Sequence, residues 1–434
     1  MMELYRSEYH PETSDEGGID PLGIAMVADR LGALLLPGLL ERHKRPRFLS
    51  ICSVGLSIID DVKAQSPESE WKVDYWEAFE WAIVTGLVSQ HSEGLFNLPS
   101  SDKTKSAKNR KVPLTPERYL KIPSVFGFHG VYKFLLKDLK IESNDRLGEK
   151  GFELLKAWAT DQKLNGFLPG EKGAGRDERQ KLIRIIGSSL REGHLTERWG
   201  NPYWEFIGSN FHHLKPGKQE KERICSLLYE SSHRKQIVEF IISKQGRKFL
   251  SADTLNEREF YEAAKTVVSK EIQPLIQAIL DYETLARTLT DAFTDVLHAL
   301  TTERYGMELD KLAKLQSLKG IHTTVKKQIK TVREAIVRIV QANDLPVRFL
   351  PLEGFLECST ERDFVTKLIN HHSENQKRKP PRGKNPWLVQ SDGNKWLVRP
   401  GYFRDEMGTH DDRFVHFYRL GTLRLFVKDL GLDG

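Results

Sequence analysis

The most regular pattern of apolar positions lies in the middle of the chain. Between Val268 and Leu300, apolar residues recur at alternating steps of three and four over more than four heptads, as in a long helix with coiled-coil-like packing. Pro274 lies in this run, so it either kinks the helix or starts it at a first-turn position. A second run with the same spacing extends from Leu309 to Ile339. The two runs predict a helical hairpin or a helical bundle.

Three shorter apolar stripes precede this pattern. They cover residues 24–35, 48–59 and 70–90, each with the spacing of a helix that buries one face or more. The third, EWKVDYWEAFEWAIVTGLVSQ, is rich in aromatic residues. Such a stripe is more often part of a core than a platform on which bases stack. We therefore expect this helix to support the segment that follows it.

Residues 113–165 show a pattern of helix, turn, helix, short basic turn and helix. Pro123 should end one segment and Ser124 should cap the next, because the residue before a proline avoids the α region and a serine satisfies free N–H groups. One face of the new helix is apolar, and the opposite face carries Gly127, Gly130, Lys133 and Lys137. A glycine inside a helix costs about 1 kcal/mol relative to alanine. The glycines therefore predict close approach of another backbone, and the lysines indicate that it is a phosphate backbone.

A polar turn at 142–146 and the sequence LGEKGFELLKAW follow this helix. The order of these patterns over 113–158 resembles the reading half of a winged-helix domain, as found in bacterial transcriptional repressors. The expected nucleic-acid-binding residues of this element are Ser124, His129, Lys133, Lys137 and Arg146. The histidine would face a base edge, and the lysines and the arginine would contact phosphates. The alternative is a plain helical hairpin inside a larger α-domain, and winged helices also serve as protein-interaction modules.

A second resemblance concerns the first part of the chain. The sequences LLPGLL, RPRFL and YLKIPSVFGFHGVY resemble uncharacterised bacterial proteins encoded near anti-phage defence genes. The resemblance implies a component of a defence system that touches nucleic acid. It brings no known catalytic residue with it.

Two basic segments are candidate nucleic-acid contacts. Residues 100–112, SSDKTKSAKNRKV, have few apolar side chains to anchor them, so we expect a mobile arm that contacts the backbone or minor groove, or else a solvated linker. Residues 376–384, QKRKPPRGK, form the densest basic run, and two prolines should keep it extended as a domain boundary or a second arm. The expected contact residues are Lys103, Lys105, Lys108, Arg110, Lys111, Lys377, Arg378, Lys379 and Arg382.

The C-terminal part mixes different patterns. WLVQSDGNKWLVRPGY predicts a β-hairpin with strands at 387–390 and 395–399 around an Asp-Gly turn. Residues 413–430 have the spacing of an amphipathic helix. Between them, RDEMGTHDDRFVH at 404–416 holds carboxylates and histidines that could bind magnesium, as in a nuclease. Aspartate and threonine also cap and turn the chain, so catalysis here is the alternative interpretation.

Composition limits the class of protein. Of the 434 residues, 39% are hydrophobic and 29% are charged, which is typical of a globular protein. No run reaches the roughly eighteen apolar residues that span a bilayer, and the acidic start MMELYRSEYHPETSDEGG differs from a targeting signal, so we expect a cytoplasmic protein. The net charge of +6 permits a polyanionic partner without requiring one.

These patterns predict a mainly α protein with three parts. The expected parts are an N-terminal helical domain at 1–165 that contains the winged helix, a central long-helix bundle or coiled-coil-like hairpin at 176–345, and a small C-terminal α+β unit at 346–434. The predicted function is a non-enzymatic DNA-binding component of a bacterial antiviral system, with duplex DNA and other protein subunits as partners and without membrane, cofactor or metal. The alternatives are a helical adaptor that recruits a motor or nuclease subunit, and a metal-dependent nuclease that uses the carboxylates of residues 405–416.

Overall fold

A computed structural model describes residues 20–65, 67–252, 255–303, 305–339, 344–380, 383–391 and 394–433. These ranges are mainly helical and contain two short β-sheets. The mainly α fold class predicted from the sequence is confirmed. Within them, no helix combines the length and the apolar character that crossing a bilayer demands.

The α-helices follow one another along most of the described chain. They are α1 (Ala25–Leu35), α2 (Phe48–Gln65), α3 (Tyr75–Gln90), α4 (Ser101–Asn109), α5 (Pro123–Phe126), α6 (Phe128–Asp138), α7 (Glu149–Asp161), α8 (Ala174–Glu192), α9 (Tyr203–Asn210), α10 (Lys218–Leu228), α11 (Ser232–Ile242), α12 (Arg247–Ser251), α13 (Glu257–Lys265), α14 (Gln273–Thr302), α15 (Leu309–Leu312), α16 (Ile321–Val337), α17 (Leu345–Glu353), α18 (Glu361–Arg378) and α19 (Leu420–Leu430). The strands are β1 (Glu142–Ser143), β2 (Arg146–Leu147), β3 (Met307–Glu308), β4 (Leu388–Gln390) and β5 (Lys395–Val398).

The chain divides into two compact units, and both are discontinuous in sequence. The α14 unit comprises Met1–Leu35 and Ala252–Tyr418, and the α3 unit comprises Leu36–Ser251 and Arg419–Gly434. This division differs from the three consecutive parts expected from the sequence. The difference comes from packing between segments that are distant in sequence. Helix α1 packs on α14 and α17, and helix α19 packs on α10 and α11.

The α14 unit contains the predicted pair of packed helices, but the second run is divided. It forms the short helix α15, a 3₁₀ turn at Gln316–Leu318 and helix α16. Helix α14 packs along α16, and Pro274 stands in the first turn of α14, so it starts the helix rather than kinking it. The predicted hairpin forms from β4 and β5 with Leu388 opposite Val398, and its turn residues 392 and 393 lie outside the described ranges. Strand β3 pairs with the other edge of β5 and completes a sheet of order β3-β5-β4. A strand of two residues has too short a pattern to be read from sequence.

The α3 unit surrounds its aromatic helix. Asp74 caps α3, accepting the N–H of Trp76 at 2.8 Å, and the helix is buried on nearly every side against α2, α4, α8 and α9. Gly86 lets α9 approach, because a Cβ atom there would collide with Ile207. The core role predicted for this stripe is confirmed.

Segment 113–158 differs from the expected order of elements at its start, where a 3₁₀ turn at Pro116–Arg118 stands in place of the first helix. The single helix predicted after Pro123 is two, α5 and α6, which are separated by extended backbone at Gly127. Ile122 rather than Ser124 holds the cap position. A Cβ atom at Gly127 would collide with the Glu80 carboxylate, and one at Gly130 with the Ser124 backbone. The glycines thus admit the protein's own groups, and their assignment to a phosphate backbone is wrong. The wing reduces to the two-residue ladder of β1 and β2.

Both basic segments are more ordered than the sequence indicated. The 100–112 segment contains helix α4, which buries Thr104 and Ala107, so the expectation of a mobile arm is wrong. Besides these two side chains, Lys103 and Lys108 hold the helix in place by donating to the carbonyl oxygens of Tyr119 and Val88. In the 376–384 segment, α18 continues through Arg378 and Gln376 is buried, so the expected extended run starts as helix.

The last helix is shorter than predicted. Helix α19 begins at Leu420, and residues 403–418, which we call the strap, run beside α14 without helical structure. Buried carboxylates of α14 accept the backbone N–H groups of the strap, for example Asp295 from Gly408 at 2.8 Å and Glu283 from Val415 at 2.5 Å. These bonds replace those that a helix would make.

Candidate nucleic-acid interface

His129 is part of the core of the α3 unit. Its Nε2 lies 2.6 Å from Glu142 Oε2, and its ring stacks on Trp76 with centroids 4.1 Å apart and planes at 5°. Its backbone N–H donates to Glu80 Oε1 at 3.1 Å, and the residue is 8% exposed. The expectation that His129 faces a base edge is therefore wrong.

The basic side chains around the small hairpin are exposed, but acidic neighbours offset them. Lys133 and Lys137 lie 3.7 and 3.6 Å from Asp145 Oδ1, and Lys137 also lies 3.7 Å from Glu142. The two lysines hold the pKa of Asp145 below its ordinary value. Ser124 and Arg146 are exposed on the same segment. This surface offers less net positive charge than its lysines alone would give.

Two of the five predicted contacts in the 100–112 segment bind the protein itself. Lys103 Nζ donates to the carbonyl oxygen of Tyr119 at 2.6 Å, and Lys108 Nζ donates to that of Val88 at 2.9 Å. Lys105 is half-buried on the helix, whereas Arg110 and Lys111 are exposed just after it. These last two cations are the ones that can reach a ligand freely.

Lys111 opens into a cleft of about 690 Å³ within the α3 unit. Its wall combines Lys108 and Lys111 with His194, Arg198 and Trp199 from the loop after α8. Neither Lys111 nor Arg198 makes an ion pair with any residue that the structure describes. The cleft therefore joins two available cations to an indole ring and an imidazole. The half-buried Glu197, which accepts from the Asn201 amide, also lines it.

One backbone bond and one side-chain bond hold the two walls of this cleft together. Leu195 N–H donates to the Leu114 carbonyl at 3.0 Å, and Trp199 Nε1–H donates to the Val112 carbonyl at 2.9 Å. The second bond fixes the plane of the indole, and the ring remains partly exposed. Lys111 adopts a left-handed conformation with φ 54°, which turns the chain out of α4 into this pairing. The cleft is thus formed before any ligand arrives.

Such a cleft has the chemistry of a nucleotide site. Arginine and lysine bind phosphate, and an aromatic face accepts the ring of an unpaired base. A cavity of this size falls within the usual range for small ligands. Lys108 and Lys111 are contacts expected from the sequence, whereas His194, Arg198 and Trp199 are not. The loop sequence HLTERWG has no distinguishing pattern, and its place in the cleft depends on tertiary bonds to residues 112–114.

The second basic segment lies in the α14 unit. Lys377 is exposed, and Arg378 lies 3.9 Å from Glu374 on the preceding turn. Lys379 is half-buried, and this burial lowers its pKa. Arg382 lies outside the described residues. The structure brings Arg378 and Lys379 to a groove of their own unit.

The histidines of the strap bind buried carboxylates of α14. His410 Nε2 lies 2.9 Å from Asp295 Oδ2, and His416 Nδ1 lies 2.7 Å from Glu283 Oε1. In the part of the chain that the structure describes, no three histidine, cysteine or acidic side chains are grouped as a metal site would require. The arrangement therefore gives the nuclease alternative no support.

Comparison with known proteins adds no family. No protein-family model, curated protein or solved structure matches this chain.

Proposed function

We propose that this protein is a non-enzymatic DNA-binding component of a bacterial antiviral system, and that the cleft beside α4 holds an unpaired stretch of DNA. The supporting observation is that Lys111, Arg198 and the partly exposed ring of Trp199 line one cleft. The cations would contact successive phosphates, and the indole would stack on a base. A base inside a duplex is already stacked, so a single strand fits this geometry better than the duplex expected from the sequence.

The proposed role in an antiviral system rests on the resemblance of the N-terminal sequence to bacterial proteins encoded near anti-phage genes. The motifs LLPGLL, RPRFL and YLKIPSVFGFHGVY connect the chain with proteins encoded near anti-phage genes. A component that binds single-stranded DNA suits such a system, because invading or damaged DNA exposes unpaired bases.

The test is a salt titration with a labelled oligothymidine of about twelve nucleotides. The variant Lys111→Glu/Arg198→Glu is compared with Lys172→Glu/Lys244→Glu, which changes the net charge equally at two exposed lysines of the same unit. We expect the cleft variant to lose at least tenfold in affinity and the control to lose little. Each lost phosphate contact should also lower the magnitude of the log–log salt slope by about 0.7.

The aromatic contact has a separate test. Trp199→Ala should cost about 1–3 kcal/mol of binding, the usual contribution of one stacked base, whereas Trp199→Phe should retain most of the affinity. Equal losses in the cleft variant and the charge-matched control would overturn the proposal. So would tighter binding of a blunt duplex than of the single strand.

A further inference from the structure

A groove in the α14 unit combines exposed apolar side chains with a basic rim. Its volume is about 820 Å³, and it lies between the start of α1 and the helices α17 and α18. Met26, Val347 and Leu350 line it and are 52%, 71% and 61% exposed. Large apolar side chains that are exposed together are typical of an interaction surface.

Helix α17 carries apolar residues on two faces. Leu345, Phe349 and Leu352 are buried in the core of the unit. Val347 and Leu350 lie three positions apart on the outer face, where polar residues would fold as well. The fold of the unit therefore does not account for these two side chains.

The rim of the groove carries more cations than carboxylates. Arg348, Lys367, Arg378 and Lys379 line it against Asp20 and Glu374. The Asp20 carboxylate accepts the N–H groups of Ile24 and Ala25, and it keeps its charge. Arg348 lies 2.8 Å from Asp344, and Arg378 lies 3.9 Å from Glu374. Four cations thus stand against three carboxylates. Lys367 makes no ion pair within the described residues. An anionic partner is therefore favoured over a neutral or cationic one.

The groove is also held in shape. His371 Nε2 lies 2.7 Å from the Leu22 carbonyl oxygen, and Asn375 Nδ2 donates to the carbonyl oxygens of Asp20 and Pro21, both at 3.1 Å. These bonds fasten α18 to the chain just before α1. A wall that is ordered before binding reduces the entropy lost on association.

We propose that this groove binds an acidic amphipathic helix of a partner protein. Apolar residues at i and i+3 or i+4 of that helix would cover Met26, Val347 and Leu350, the usual mode of a helix in a groove. Its carboxylates would face Lys367 and Arg378. The site lies in the α14 unit and involves no residue of the DNA cleft, so it stands independently of the proposed DNA binding.

The test uses three labelled synthetic helical peptides with one leucine pattern and with Glu, Gln or Lys at every polar position. Fluorescence anisotropy with the full chain should rank them Glu, then Gln, then Lys, and added salt should weaken the Glu peptide. Val347→Ser/Leu350→Ser should weaken it at least tenfold. Tyr305→Ser/Val337→Ser is the matched control, because these side chains of the same unit are 75% and 72% exposed.

Reversing the rim charge gives the second readout. Lys367→Glu/Arg378→Glu should shift the preference from the Glu peptide to the Lys peptide. The proposal is overturned by an unchanged ranking in this variant, by equal losses in the control, or by no binding of the Glu peptide. A concentration-dependent dimer in sedimentation velocity that Val347→Ser/Leu350→Ser abolishes would instead assign the groove to a second copy of the chain, and would also overturn it.

Discussion

His410 Nε2 lies 2.9 Å from Oδ2 of Asp295, an aspartate whose side chain is fully buried on α14. The other oxygen of the same carboxylate accepts the N–H of Gly408 at 2.8 Å. One turn earlier, Asp291 accepts the N–H of His410 at 3.1 Å. The carboxylates of α14 thus remain buried because the strap supplies donors to them. The strap in turn is ordered because those carboxylates fix its backbone.

Glu283 should be the strongest of these fastenings. Its two oxygens accept from the backbone of Val415 and His416 and from the Tyr418 hydroxyl, and its side chain is fully buried. Glu283→Gln replaces one acceptor with a donor, so we expect a loss of about 3 kcal/mol in the free energy of unfolding. Denaturant unfolding measures this loss.

Limited trypsin digestion measures how firmly the strap is held on α14. Release from α14 should speed cleavage after Arg404 and Arg413 in the Glu283→Gln protein. Glu262→Gln, at an exposed position on α13, serves as the control and should leave both readings unchanged. A stable variant with wild-type digestion would show that the strap is held by other contacts.

Acid should destabilise both units through buried histidines. Burial lowers the pKa of His43 and His213 in the α3 unit, and of His372 in the α14 unit, to about 4 from the ordinary 6.5. A folded pKa below the unfolded one gives stability that is present above pH 6.5 and lost as the pH falls toward 4. Each histidine should contribute up to about 2 kcal/mol of loss between pH 7 and pH 5. His213→Gln should lessen the loss, as measured by urea unfolding at the two pH values.

A buried carboxyl group in the α3 unit gives the opposite dependence of stability on pH. Burial raises the pKa of Glu80 to about 8, although the Tyr119 hydroxyl at 2.9 Å and the His129 N–H partly oppose the shift. A folded pKa above the unfolded 4.5 gives stability that is lost as the pH rises from 4.5 through 8. Glu80→Gln is neutral throughout, so its unfolding free energy should fall less between pH 7 and pH 9 than that of the wild type. Identical slopes for the two proteins would contradict this prediction.

The sequence predicted the long helices well because burial repeats along them. Apolar positions of α14 and α16 recur over many turns, so the period is unmistakable and the two helices do pack together. The break at Gly127 was missed for the same reason. The apolar period of α5 and α6 continues across it, and the cause is the carboxylate of Glu80, which is distant in sequence.

The sequence predicts only some of the residues that line the candidate cleft. Lys108 and Lys111 stand out in a basic run, whereas Arg198 and Trp199 belong to a loop with no distinguishing pattern of its own. These residues meet the lysines because Leu195 N–H donates to the Leu114 carbonyl and the Trp199 indole N–H donates to the Val112 carbonyl. Composition cannot reveal such pairings, and it cannot show which lysines are already bound by carbonyl oxygens.

Lys108 should matter for stability more than for DNA binding. Its ammonium group donates to the carbonyl oxygens of Val88 and Ser89 in the last turn of α3, where the helix dipole favours a cation. Lys108→Met should therefore cost about 1–2 kcal/mol in thermal unfolding. Lys105→Met, on the same helix and without such a bond to the described chain, should be close to neutral.

The contributions of the small hairpin's lysines and of the cleft to DNA binding can be separated by charge reversal. Lys133→Glu/Lys137→Glu removes two cations that Asp145 and Glu142 already offset, so oligothymidine affinity should fall less than about threefold. Lys111→Glu/Arg198→Glu removes cations that the described residues leave unpaired, and its loss should be several times larger. Anisotropy at one salt concentration, repeated with a duplex of equal length, compares the two variants. A larger loss in the Lys133/Lys137 protein with either probe would return the binding surface to the small hairpin.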